Sequence, residues 1–477
     1  MASPSPLDRR KFFGSAAAMS LSAAGYGNVA GANERIGIAF LGCGGRAQAH
    51  IDLIQRFAKA GEPVAARAVC DVWDGIEDEY EVAFGGKAAR RRYSQGLFPS
   101  ATKCGLDSKD RSRVTKDYRR VLDLKDVDAV CIATPDHWHG KMAADAFAAG
   151  KDCFIEPPFT RTADEAHLVV EAWKTSGCVA TVGVQSMADP VWVKAFDHIR
   201  TGRIGAVSMA QTGTFRNDIR GQWRFYRLVH EMTPRSIDWD QFLGHRVEFA
   251  GRPLGPNQPF DRAAYAQWRC FAPFSSGPLS DLLTHNITRM TAAMGVRESS
   301  SVSCEGGLFH ERDGRTVADT ATIVSTYPEG SILIAAASTM SGYPMEETIR
   351  GRLGTIRFVK GGFQIFSDDP SRGATFPARQ ERGLEPNEFV PAEAPKNETE
   401  AMWVNFLECV RSRKHATFCP PDLACTAVDT ITRAESKLSV SRKPNRPLLG
   451  WSGGNTAMNP PPYQKLAGPW VGGKDPA

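Results

Sequence analysis

The chain has 477 residues, 42% hydrophobic and 23% charged, with a formal net charge of +5. That length favours two domains over one, and the composition is that of an ordinary globular enzyme. The charge is small for the size and no long basic run occurs, which argues against nucleic acid or a membrane surface as partner.

Residues 1–32 read as a targeting segment. Arg9, Arg10 and Lys11 precede Phe12 and Phe13, an Ala/Ser/Gly run follows, and Ala30 and Ala32 close it. That is the order of a basic region, an apolar region and an A-x-A cleavage site. The Arg9-Arg10 pair resembles a twin-arginine signal, so a periplasmic or otherwise exported location is expected. An uncleaved tail fits the same residues. The 11 cysteines lie outside this segment, odd in number and without C-x-x-C spacing. They predict neither a metal site nor a disulfide framework.

Residues 33–158 alternate strands with helices. An apolar run from Ile36 leads into a glycine loop and a helix, and a second strand ends at Asp71. Residues 75–113 are charged and Gly-rich and are expected to form a helix and a surface excursion. Helix, strand, loop, helix and strand then follow up to Glu156. This alternation predicts a Rossmann domain, a doubly wound parallel sheet. Residues 159–443 change character, with longer strands joined by turns and helices near the end. They predict an α+β domain with a large open, mostly antiparallel sheet. Residues 444–477, rich in Pro, Gly and Trp, read as an extended arm.

Four stretches carry chemistry. Gly42, Gly44 and Ala47 form G-x-G-x-x-A between a strand and a helix. Gly42 permits the turn, Gly44 lets the backbone approach a pyrophosphate, and Ala47 allows close helix packing. Gly45 and Arg46 complete the loop, with Arg46 a candidate phosphate contact. Asp71 would accept from both ribose hydroxyls and repel a 2′-phosphate, which favours NAD over NADP. The loop Ala133–Gly140, "ATPDHWHG", follows a strand at the carboxyl edge of the sheet. Thr134, Pro135, His137 and His139 are therefore candidates for the cofactor's edge. His137-x-His139 lacks a third nearby ligand, so no metal is assigned.

The segment after Gly277 places Asp281, His285 and Arg289 at i, i+4 and i+8, one polar stripe on a helix. An imidazole near a carboxylate suits general acid–base work. A surface row of salt bridges fits the same spacing. The fourth stretch is Glu156-Pro157-Pro158, where two prolines end a strand and force a corner.

Together these motifs resemble the glucose–fructose oxidoreductase / inositol 2-dehydrogenase (Gfo/Idh/MocA) family, from Arg35 to about Lys443. The glycine loop, "ATPDHWH", the strand-end Glu-x-Pro, "DWDQFLG" at 238–244 and "D-x-x-x-H" at 281–285 come in the family's order. The resemblance implies a tightly held NAD and hydride transfer from a hydroxyl of a sugar, cyclitol or glycoside, in a chain that can self-associate. The family's usual motif is Glu-Lys-Pro, whose lysine helps relay the hydroxyl proton. Here Pro157 stands at the lysine's place. That leaves His285 as the candidate base, Asp281 to orient it, and Glu156 at the nicotinamide end. Three readings follow: a dehydrogenase using His285 alone, a redox-neutral glycosidase or lyase, or a nucleotide-binding protein without turnover.

Overall fold

A computed structural model describes residues 35–84, 87–218, 220–367 and 387–438. The expected signal segment and C-terminal arm lie outside the described residues. The parallel sheet contains β1 (Ile36–Leu41), β2 (Val64–Cys70), β5 (Val114–Thr115), β6 (Ala129–Ile132), β7 (Asp152–Ile155) and β8 (Ala180–Val182), in the order β5-β2-β1-β6-β7-β8. All six residues of β1 are buried, as are all four of β6 and of β7. Helices cover both faces, so these strands read as unbroken apolar runs. Each large apolar side chain sealed there contributes roughly 1.5–3 kcal/mol.

Between β2 and β5 the chain departs from expectation. Residues Ile76–Phe84 (β3) and Lys87–Gln95 (β4) form a two-stranded antiparallel ribbon rather than a helix. β3 carries the acids and β4 the arginines, and the register sets Glu79 opposite Arg92 and Glu81 opposite Arg90. Opposite charges across a strand pair stabilise the ribbon.

The second sheet has eight strands: β9 (Val207–Phe215), β12 (Ser301–Gly307), β13 (Thr320–Thr326), β14 (Ile332–Ser338), β15 (Thr348–Gly351), β16 (Gly354–Val359), β17 (Gly362–Ser367) and β18 (Asn387–Pro391). Its order is β12-β13-β14-β9-β15-β16-β17-β18, antiparallel except where β14 meets β9. A minor ribbon pairs β10 (Glu248–Phe249) with β11 (Arg252–Pro253). Arg161, just past the proline corner, is held by the body of the second domain. Its guanidinium makes two 2.8 Å bonds to the Glu435 carboxylate and one of 2.9 Å to the Ala272 carbonyl. All 11 cysteines are free thiols, most of them buried. No helix among the described residues is long and apolar enough to cross a membrane.

Candidate active site

The glycine loop sits where β1 ends and the helix Gly45–Lys59 begins. Gly42 has φ of +84°, and a Cβ there would lie 2.7 Å from the Ala133 carbonyl oxygen, so only glycine fits. A Cβ on Gly44 would meet nothing within 4 Å, which leaves open space beside the loop. Gly44 caps the helix without a side-chain bond, so its first N–H groups face that space. An open helix N-terminus and a bare backbone fit a pyrophosphate. Ala47 is fully buried against the sheet. Gly45 faces the Gln95 amide, 3.1 Å from where a Cβ would stand.

Asp71 supports this loop directly. Its carboxylate accepts from the Cys43 N–H at 2.6 Å and the Trp73 N–H at 2.8 Å. Burial raises its pKa, and those two bonds oppose the rise. A carboxylate has about four acceptor positions, so the remaining ones can serve a ribose. Tyr265, from the second domain, brings its hydroxyl to 3.5 Å of the same carboxylate.

Thr134 and Pro135 lead into the helix Asp136–Ala148, with Pro135 at its N-cap. His137 and His139 take structural partners. His137 Nε2 bonds the Phe242 carbonyl at 2.8 Å, tying this loop to the "DWDQFLG" segment. Burial drives the His137 pKa down to about 3. His139 bonds the Pro158 carbonyl at 2.7 Å and the Thr134 carbonyl at 2.8 Å, locking the loop to the proline corner. The Pro157–Pro158 peptide is cis. Among the described residues no cluster of His, Cys, Asp and Glu could hold a metal ion.

Glu156, at the end of β7, is buried and held by three donors. Arg46 Nε donates to Oε2 at 2.8 Å, His50 Nε2 to Oε1 at 2.9 Å, and Gln185 Nε2 to Oε1 at 3.3 Å. Burial alone would raise its pKa, but the hydrogen bonds from His50 and Arg46 and the charge of Arg46 hold it below the ordinary carboxylate value. Glu156 is therefore an anion, not a proton donor, at neutral pH. The sequence reading sets Arg46 against phosphate. Its guanidinium lies on Glu156 instead, and its Nη2 reaches the Thr399 hydroxyl at 3.3 Å. The buried carboxylate needs a counter-charge, and Arg46 is the cation within reach.

Asp281 and His285 also differ from expectation. The stripe spans two helices, Pro278–Asp281 and Leu283–Met294, with the break at Leu282. Asp281 makes no hydrogen bond to His285. It accepts from Arg269 Nε at 2.6 Å and from the Trp223 indole at 3.1 Å, so it does not orient the imidazole. Arg269 lies over the Trp268 ring, 4.1 Å from the centroid. Trp223 holds φ of 68°, a left-handed conformation costly for a bulky residue. Arg289 pairs with Glu347 rather than with His285. Among the described residues nothing hydrogen-bonds either ring nitrogen of His285, so both are free for a substrate. Burial lowers its pKa to about 4; Glu156 and Asp281 oppose that fall, while Arg289 and Arg46 assist it.

His50, Trp223 and Arg269 in these roles escape the sequence reading, because their partners lie 12 to 106 residues away.

Residues 36–184 match the oxidoreductase family's NAD-binding Rossmann fold, and residues 253–431 match its C-terminal alpha/beta domain. The chain belongs to the Gfo/Idh/MocA oxidoreductase family. Its Rossmann domain binds NAD. The levoglucosan dehydrogenase of Pseudarthrobacter phenanthrenivorans is 31% identical over 121 residues, 24% of this chain and 31% of that protein. The alpha-N-acetylgalactosaminidase of Shewanella oneidensis is 24% identical over 211 residues, 42% of this chain and 41% of that protein. The matched segments thus span less than half of either relative. The solved levoglucosan dehydrogenase in complex with NADH shares the fold, with a TM-score of 0.55 and 20% identity over 85% of this chain and 98% of that one.

Proposed function

We propose that this Gfo/Idh/MocA oxidoreductase oxidises a hydroxyl of a sugar, cyclitol or glycoside, with His285 as the base. Bound NAD supplies the acceptor for the hydride. The hydroxyl proton passes to a ring nitrogen of His285 as the carbinol carbon becomes a carbonyl. The observation that carries this reading is the unpartnered imidazole of His285, near an ionised Glu156. Pro157 stands where the family's lysine would be, so that position supplies no ammonium. Arg269 and Trp268 offer a stacking surface and N–H donors to the rest of the sugar. The levoglucosan dehydrogenase relative acts on a compound of this class by its name. His285→Asn tests the assignment: turnover is lost and NAD affinity is retained. Undiminished turnover would remove His285 from the mechanism.

A second reading, a redox-neutral glycosidase in which oxidation is transient, has its own support. The segment 231–238 is strapped across the end of β2 beside Asp71. Asp74 N–H donates to the Ser236 carbonyl at 3.0 Å, and Asp238 N–H to the Val72 carbonyl at 2.8 Å. Arg227 reaches from the same domain into the β3–β4 ribbon, over Tyr80 at 4.3 Å and Tyr93 at 5.0 Å. Such closure favours a retained, recycled NAD, and the alpha-N-acetylgalactosaminidase relative points the same way. Export through the twin-arginine-like segment would fit a cofactor carried out in the folded protein.

A further inference from the structure

The helix that opens at the glycine loop carries a second chemical group. His50 lies four residues after Arg46, so both side chains reach one carboxylate from the same helix face. His50 is wholly buried. Its Nδ1 accepts from the Trp403 indole N–H at 2.8 Å. An indole can only donate, so Nδ1 carries no proton. The ring's single proton is therefore on Nε2, aimed at Glu156 Oε1. Trp403 comes from the helix Glu398–Ser412 and stacks on Phe154 at 4.4 Å, with ring planes 8° apart. Phe154 also packs against the His50 ring at 5.2 Å. The relay is thus fixed by packing at each member. A core needs no such device, because a buried carboxylate and its partners are costly to seal in.

Glu156 stands at the carboxyl end of a parallel strand, where this fold places its cofactor. Gln185, which also donates to Glu156, belongs to the short turn Gln185–Ala188 that packs against the His285 helix. The charged groups that act on His285 are Glu156, Arg289, Asp281 and Arg46, and Glu156 has the largest influence of the four. Asp281 and Arg289 are already paired elsewhere.

We propose that His50 and Trp403 are positioning residues: the relay Trp403–His50–Glu156 holds the Glu156 carboxylate as the counter-charge for the imidazolium that forms on His285. This rests on His285 being the base. When His285 takes the hydroxyl proton, a positive charge appears in a buried site. A fixed anion nearby stabilises it without reorganising. A carboxylate free to rotate would do so less well. Glu156 itself neither gives nor takes a proton.

Two variants separate this from a structural role. Trp403→Phe keeps the stacked ring and removes only the N–H. His50→Gln removes the ring but leaves an amide donor for Glu156. Histidine-labelled NMR reads the His285 titration without any turnover, the signal being identified by its loss in His285→Asn. The pH profile of kcat/KM is followed on the same proteins. In Trp403→Phe we expect the His285 midpoint and the acid limb of kcat/KM to move down together by about 0.5–1 pH unit. We expect kcat to fall about tenfold, with NAD affinity changed less than about twofold. His50→Gln should fall between wild type and His50→Ala. An unmoved midpoint in Trp403→Phe overturns the proposal, even if the rate falls equally at every pH. Should Trp403→Phe fail to fold, His50→Gln against His50→Ala decides on the same two readouts. Failure of the parent reading looks different, since His285→Asn would then turn over normally.

Discussion

Glu156→Gln is the substitution whose effect follows most directly from the structure. It keeps the shape and removes the charge. The hydrogen bonds and the Arg46 charge that lower the Glu156 pKa from 4.5 favour the ionised form by roughly 2–3 kcal/mol. Little screening applies, because the side chain is 11% exposed. Glutamine adds a second cost. Its amide nitrogen must face His50, Gln185 or Arg46, all of which donate, and one unsatisfied donor costs about 1–3 kcal/mol. A loss of about 3–6 kcal/mol of unfolding free energy is expected at pH 7. The sign with pH is fixed as well. A carboxylate depressed in the folded state stabilises above its unfolded value of 4.5 and loses that contribution as pH falls through its lowered folded value. The gap between wild type and Glu156→Gln should therefore narrow below pH 4.5. Urea unfolding of both proteins between pH 7 and pH 3 measures it. A gap below about 0.5 kcal/mol at pH 7, or one that stays constant with pH, would refute the reasoning.

Other outcomes follow from the same geometry. The acid limb of kcat/KM should lie near pH 4, where burial places His285, with activity lost as pH falls through it; a limb at the ordinary imidazole value of 6.5 would contradict this. Asp71→Ala removes the acceptor of two loop N–H groups as well as the ribose partner. Calorimetry should show NAD affinity reduced at least about tenfold, and unchanged binding would dismiss the ribose assignment. Asp281→Asn leaves Arg269 and Trp223 without their charged acceptor, so steady-state kinetics should show KM raised more than kcat lowered. A selective loss of kcat would return Asp281 to the role of orienting the base.

The Rossmann half was readable because each of its signals is local. An apolar strand, a glycine turn and a helix follow within a short stretch, and β6 and β7 are buried runs that need no distant partner to be recognised. The β3–β4 ribbon escapes the sequence because consecutive charges, Glu77 to Glu79 and Arg90 to Arg92, mask the period-two pattern of a strand. The Asp281–His285–Arg289 stripe was read as one helix because spacing alone does not show a break at Leu282. Glu156 and Pro157 stood out in the sequence, but the groups that set Glu156's charge did not. Trp403 is 353 residues from His50, and nothing in either neighbourhood announces the other. Arg46 was legible as a cation at a phosphate loop. Its use as the partner of Glu156 depends on the end of β7, which only the assembled sheet brings beside it.

The central claim is that this site oxidises a sugar hydroxyl with His285 as its base. The direct measurement takes the NAD-saturated protein with a panel of free sugars and alkyl or aryl glycosides. Reduced nicotinamide is followed by absorbance, and aglycone release by chromatography of the same samples. The account predicts that reduced nicotinamide accumulates with the carbon skeleton intact, and that His285→Asn abolishes the signal. Glycosidic bonds that break with no lasting reduction would contradict it and establish the redox-neutral reading.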